Sequence, residues 1–193
     1  MKIMYESACL LSTIADALEV GKVCDHYGFY WYEDPYKDGG VSINGNKYLS
    51  KKLSTPILVG EHVRNLETSV DMLVKGASFF SRADPDYDGG ITGCHKLVVA
   101  SEGLGMDCEI HSCGPAMRQL MGASRNSNFY EVNLLHPKCK NPWSLPIYLN
   151  GYSDQINCID SDGHVDVFNE PGLGVVYDWK FIEKQSLEKV IIK

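Results

Sequence analysis

The chain has 193 residues, 44% hydrophobic and 22% charged, with a net charge of −7. That is enough to bury a core as one domain or slightly more, and it excludes a disordered or fibrous chain. Scattered basic residues exclude a nucleic-acid or anionic-membrane surface, and no apolar run approaches the ~20 residues of a membrane span.

Lys2–Glu6 reads as a strand that starts the chain directly, without the basic and apolar regions of a signal peptide. Ser12 or Thr13 can cap a helix in which Leu11, Ile14, Leu18, Val23 and Tyr27 recur at roughly helical spacing until Gly28 stops it. Phe29–Glu33 is an aromatic strand closed by Asp34-Pro35. The Asp38-Gly-Gly40 loop and a short helix near Asn46–Leu53 lead into the strand Pro56–Glu61. A helix over Asn65–Lys75 ends at Gly76, Ser78–Asp84 is the next strand, and Gly89-Gly90 opens a helix to about Gly105. Asp107–His111 follows as a strand, Pro115 suits the first helical turn after it, and Phe129–Asn133 is the last strand of the series.

From about His136 the pattern changes, and proline and glycine become frequent. Asp160-Ser-Asp-Gly163 reads as a plain hairpin turn, because it lacks the later glutamate of a calcium loop. Pro171-Gly-Leu-Gly174 leads into a C-terminal tail. The expected division is therefore 1–135, a partial barrel, and 136–193, a segment wrapping it or joining another layer.

Six apolar runs end on a side chain that handles protons or metal: Glu6, Glu33, Glu61, Asp84, His111 and Glu131. Their separations of 27, 28, 23, 27 and 20 residues each accommodate a strand, a helix and two loops. A parallel barrel of βα units collects its strand C-terminal ends on one face, where its chemistry is built. The expected fold is thus α/β, a partial TIM-like barrel with about six βα strands. Six strands leave open edges, which suggests part of a longer chain lacking about two leading βα units.

Glu6, Glu33 and Glu61 should converge, and three close carboxylates repel unless a cation sits among them. Their all-oxygen donor set suits a hard cation, Mg²⁺ ahead of Mn²⁺ or Ca²⁺. Asp84 can accept from one nitrogen of His111, fixing its tautomer and making the other nitrogen a competent general base. Glu131 can either donate to a developing oxyanion, if protonated, or serve structure. Asp86 and Asp88 read as turn residues. Strand alternation turns Arg82 and Glu109 into the barrel below the site, where they are expected to pair. The seven cysteines, at 9, 24, 94, 108, 113, 139 and 158, contain no C-x-x-C spacing. That pattern disfavours a zinc site or disulfide framework and fits a reducing cytoplasm.

Trp31-Tyr-Glu-Asp-Pro35, Gly60-Glu-His62, Asp84 five residues before Gly89-Gly-Ile-Thr92, Glu109-Ile-His-Ser-Cys-Gly-Pro-Ala116 and Pro171-Gly-Leu-Gly174 together carry a family resemblance. From Lys2 to about Lys184 the chain resembles the C-terminal part of the enolase superfamily, in its mandelate racemase and muconate lactonizing enzyme-like branch. The resemblance implies a modified (β/α)₇β barrel whose capping domain includes the C-terminal tail. It also implies Glu33 and Glu61 as Mg²⁺ ligands, Asp84–His111 as the acid–base dyad and Glu131 as the hydrogen-bonding acid. At the first ligand the family usually has Asp with Asn two residues on, whereas this chain has Glu6 and Ala8.

The implied reaction removes a proton α to a carboxylate through an ene-diolate, with a cation and preorganised donors stabilising the charge. The substrate is then a small carboxylate, with His62 and Arg64 as its polar contacts. One visible base favours dehydration of a sugar acid; a racemase or epimerase and an inert truncated barrel are the alternatives. A homo-oligomer is expected of the full-length form.

Overall fold

In the computed structural model, which describes residues 1–132, 138 and 146–191, the expected strands before His111 all form, but each is short. They are β1 (Tyr5–Glu6), β2 (Tyr32–Glu33), β3 (Ile57–Leu58), β4 (Ser81–Ala83) and β5 (Cys108–Ile110). β1, β2 and β3 pair in parallel in that order, as do β4 and β5. A parallel bridge between Leu58 and Phe80 joins the two ladders. Each strand is followed by a helix: α1 (Ile14–Tyr27), α2 (Ile43–Lys52), α3 (Leu66–Val74), α4 (Gly90–Gly103) and α5 (Pro115–Gly122). Parallel neighbours need such long crossovers. The arrangement is α/β with parallel strands; among the described residues they form open ladders.

Local chemistry sets the helix ends. Thr13 and Asp16 form a reciprocal capping box at the start of α1, and Gly28 closes it in the left-handed region at φ 67°. Ser42 caps α2 by accepting from the Gly45 N–H, and Asn65 caps α3 by accepting from the Thr68 N–H.

Alternation along the strands sorts the core into two layers. Tyr32, Ile57 and Val59 pack among Ala17, Cys24, Leu49 and Met72 on the helix side. Trp31, Leu58 and Phe80 form a second cluster, against which Phe129 packs. Glu33 and Arg82 share the parity of Trp31 and Phe80, and both are buried.

Two expectations need correction. The sixth strand does not form over the described residues 129–132; Asn133, like Cys139, lies outside the described residues. The Asn128 and Phe129 N–H groups donate to the Glu109 carboxylate at 3.0 and 3.2 Å, which satisfies them without a strand partner. For the same reason Glu109 is not the partner of Arg82. Although the two residues are in register, Glu109 is taken up by Asn128 and Phe129, while Arg82 Nε stands 2.8 Å from Glu33 Oε1.

The chain divides into two compact units, Met1–His111 with Leu120–Phe129, and Ser112–Gln119 with Tyr130–Lys193. In the second unit Arg118 is a buried hub. It donates to the Ser153 carbonyl and the Asp154 carboxylate, each at 2.6 Å, and its guanidinium lies over the rings of Tyr130 and Tyr152. Both tyrosine hydroxyls also donate to Asp154. A buried ion pair needs such extra hydrogen bonds to offset its desolvation. The Asp160 turn forms as expected: the Asp160 N–H donates to the His164 carbonyl, and Ile159 bridges Val165. A last helix, α6, spans Trp179–Gln185. Among the described residues no helix is long and apolar enough to cross a membrane.

Candidate active site

The site is built from strand ends. Glu6 and Glu33 are the last residues of β1 and β2 and are direct register partners. Asp84 and His111 each follow the last residue of β4 and β5, and the His111 N–H donates to the Ala83 carbonyl at 2.8 Å. Glu61 follows Gly60, whose φ of 145° and tight packing leave no space for a side chain. A Cβ there would fall 3.0 Å from the Arg82 carbonyl oxygen. Parallel strands thus deliver five chemically active side chains within the first unit.

One carboxylate oxygen from each of Glu6, Glu33 and Glu61 lies within 4.8 Å of the others. Their exposure is graded: Glu6 is exposed, Glu61 half-buried and Glu33 buried. Arg82 offsets part of the charge at Glu33, and the Ala8 N–H fixes Glu6 by donating to its Oε1 at 2.7 Å. An oxygen-only donor set of this density fits a hard divalent cation, which would relieve the repulsion.

His111 stands between two carboxylates. Its Nδ1 is 2.5 Å from Asp84 Oδ2 and its Nε2 is 3.1 Å from Glu61 Oε2. Asp84 is itself held, since its Oδ1 accepts from the Asp86 N–H and its own N–H donates to Asp88. Asp86 and Asp88 are therefore turn residues that orient the dyad. Burial pushes the Asp88 carboxyl up. Asp84 accepts from Nδ1, so Nε2 is the nitrogen that exchanges a proton: it suits an N–H while it faces the Glu61 carboxylate, and it offers the lone pair that a general base requires once that proton has left.

His62 and Arg64 are engaged by the protein. His62 Nε2 lies 3.3 Å from Asp34 Oδ2 and 3.3 Å from Glu61 Oε1. Arg64 donates to the Glu61 carbonyl at 2.8 Å and stacks its guanidinium over the Tyr87 ring. Glu131 belongs to the second unit, where its Oε2 accepts from the Ser112 N–H at 2.5 Å. In the sequence Asp34 is a strand stop within Trp31-Tyr-Glu-Asp-Pro35, with no chemical role assigned to it. It is fully buried, and burial, followed by the charges of Glu61 and Glu6, pushes its carboxyl up to about 7. An acid directly after a strand-end glutamate was the available signal.

Comparison with solved structures finds this fold repeatedly. D-glucarate dehydratase from Agrobacterium tumefaciens, complexed with magnesium, is 26% identical, with a TM-score of 0.78 over 95% of this chain and 46% of that one. L-Talarate dehydratase from Polaromonas sp. JS666, complexed with Mg and L-glucarate, is 20% identical, with a TM-score of 0.73 over 95% and 44%. A racemase from Streptomyces coelicolor A3(2) with bound magnesium is 16% identical, with a TM-score of 0.75 over 95% and 46%. The chain thus spans about half the length of these proteins. No curated protein sequence matches it. The family model described as enolase C-terminal domain-like matches residues 3–181, nearly the whole chain. With that match added to acids and an imidazole at the ends of parallel strands, the chain belongs to the enolase C-terminal domain-like family.

Proposed function

We propose that this chain carries the metal-binding and acid–base residues of a Mg²⁺-dependent enzyme that removes the proton α to a carboxylate, most specifically in the dehydration of a sugar acid. The observation that carries the reading is His111, held by Asp84 on one nitrogen and within 3.1 Å of Glu61 on the other. A general base is thereby joined directly to the glutamate cluster. Glu6, Glu33 and Glu61 would hold the ion. When bound, it supplies positive charge that stabilises the anion developing on the substrate carboxylate.

The chain's own residues do the rest. Asp84 holds the Nδ1–H tautomer and stabilises the imidazolium formed when Nε2 takes the substrate proton. That imidazolium then becomes the acid that protonates a departing β-hydroxyl, so a single histidine serves both steps. Arg64, close to Glu61 in the chain, is the proposed polar contact of the substrate, while His62 Nε2 is turned to Asp34 and Glu61. The dehydratase reading draws on the 26% identity to D-glucarate dehydratase.

Deuterium exchange into a panel of sugar acids in D₂O with Mg²⁺ tests the reading. Exchange with loss of water is expected. Exchange with inverted product moves the assignment to a racemase, and no exchange with any acid overturns it.

A further inference from the structure

A second cluster adjoins the first. We propose that Cys9, Asp34 and His62 form a further metal site, taking a divalent transition ion of the zinc class in place of the hard ion suited to the glutamates. One ligand atom from each lies within 4.8 Å of the other two. The donor set is sulfur, nitrogen and oxygen, which suits borderline ions such as Zn²⁺ and Co²⁺ and is poor for Mg²⁺.

The buried acid is what points to a ligand. Asp34 is fully buried, and neither of its carboxylate oxygens has a hydrogen-bond partner. His62 Nε2 stands 3.3 Å from Oδ2 without hydrogen-bond alignment. A simple His62–Asp34 pair would leave Oδ1 buried and unsatisfied, which costs about 1–3 kcal/mol or more for a charged group. A cation shared with Cys9 and His62 removes that cost.

The surrounding backbone is built to present these groups. Ala8, Cys9 and Asp34 all have positive φ, at 49°, 54° and 39°, and the Cys9 N–H donates to the Asp34 carbonyl at 3.0 Å. Strain of this kind persists only where the surroundings over-determine it. Gly40 leaves room for the acid, since a Cβ there would lie 2.8 Å from Asp34 Oδ1. Three protein ligands leave the fourth position of a tetrahedral ion to water or a substrate oxygen.

The test is a Co²⁺ titration of the 193-residue chain at saturating Mg²⁺, followed by visible absorption and equilibrium dialysis. One equivalent of Co²⁺ with a thiolate-to-cobalt charge-transfer band, displaced by Zn²⁺, is expected. Cys9→Ser should abolish the band. Asp34→Asn should weaken Co²⁺ binding by more than the ~10–100-fold seen when only a supporting residue of a metal site is changed. Glu6→Gln, which impairs the glutamate cluster, should leave the band in place, so failure of this proposal is separable from failure of the Mg²⁺ reading. Circular dichroism of each variant checks folding. Absence of the band, its survival in Cys9→Ser, or its loss in a folded Glu6→Gln overturns the proposal.

Discussion

Glu6→Gln probes the glutamate cluster with the least disturbance. The substitution keeps the shape of the side chain and the oxygen that accepts from the Ala8 N–H, and removes one of three charges lying within 4.8 Å of one another. At that separation two unit charges repel by ~0.9 kcal/mol in a water-like medium and by ~3.5 kcal/mol at an effective dielectric of about 20. Glu6 is exposed, so solvent screening selects the lower figure. Two neighbours, one of them offset by Arg82, then leave about 1 kcal/mol. The variant without divalent ions should therefore melt ~2–4 °C above the parent chain.

With ions the order reverses. Mg²⁺ at about 100 times its Kd stabilises the parent by ~2.7 kcal/mol, a rise of ~5–11 °C for a chain of this size. A 10- to 100-fold loss of affinity would reduce the gain at the same concentration to between ~1.4 and ~0.4 kcal/mol. Thermal melts of both proteins across a Mg²⁺ series measure this. An undiminished Mg²⁺ shift in Glu6→Gln would refute the argument that the three glutamates share an ion.

Three further outcomes are expected. Asp84→Asn should lower α-proton exchange, read by NMR in D₂O, by ~10²–10⁴-fold while preserving the Mg²⁺ shift in melting, because it touches the base and leaves the glutamates in place. Arg82→Met should cost ~3–5 kcal/mol in urea unfolding, since it removes the guanidinium whose Nε stands 2.8 Å from the buried Glu33 carboxylate. Asp25 accepts from the Ser54 N–H at 3.0 Å and the Thr55 N–H at 2.6 Å. Partial burial opposes the shift, but these hydrogen bonds hold its carboxyl below the usual range. Its stabilisation is therefore present above the ordinary carboxylate pKa and lost as pH falls through the lowered folded value. Asp25→Asn should cost ~0.5–1 kcal/mol at neutral pH after allowance for exposure, with the two stability curves meeting in acid.

Much of the first unit was legible because its signals are local. Thr13, Gly28 and Asn65 mark helix ends through their own hydrogen-bonding and φ preferences. The strand from Tyr32 to Glu33 is short, yet its buried aromatic and terminal acid stand where alternation puts them. Glu6, Glu33, Glu61, Asp84 and His111 were found as recurring chain ends of apolar runs, and parallel pairing alone brings such ends to one side. The strand expected at Phe129 was misread because its apolar run resembles the others, while its backbone donors are claimed by a side chain, Glu109.

The sequence by itself determined that Glu6, Glu33, Asp84 and His111 would stand at or directly after strand ends, because that depends only on the phase of apolar runs and on turn residues. Which of those side chains touch was decided by tertiary structure. Arg82 turned to Glu33 and left Glu109 to Asn128. Cys9, Asp34 and His62, drawn from three different loops and sharing no motif, met through backbone bends at Cys9 and Asp34. Contacts of that kind depend on ångström-scale placement of groups dozens of residues apart, and residue spacing carries no record of it.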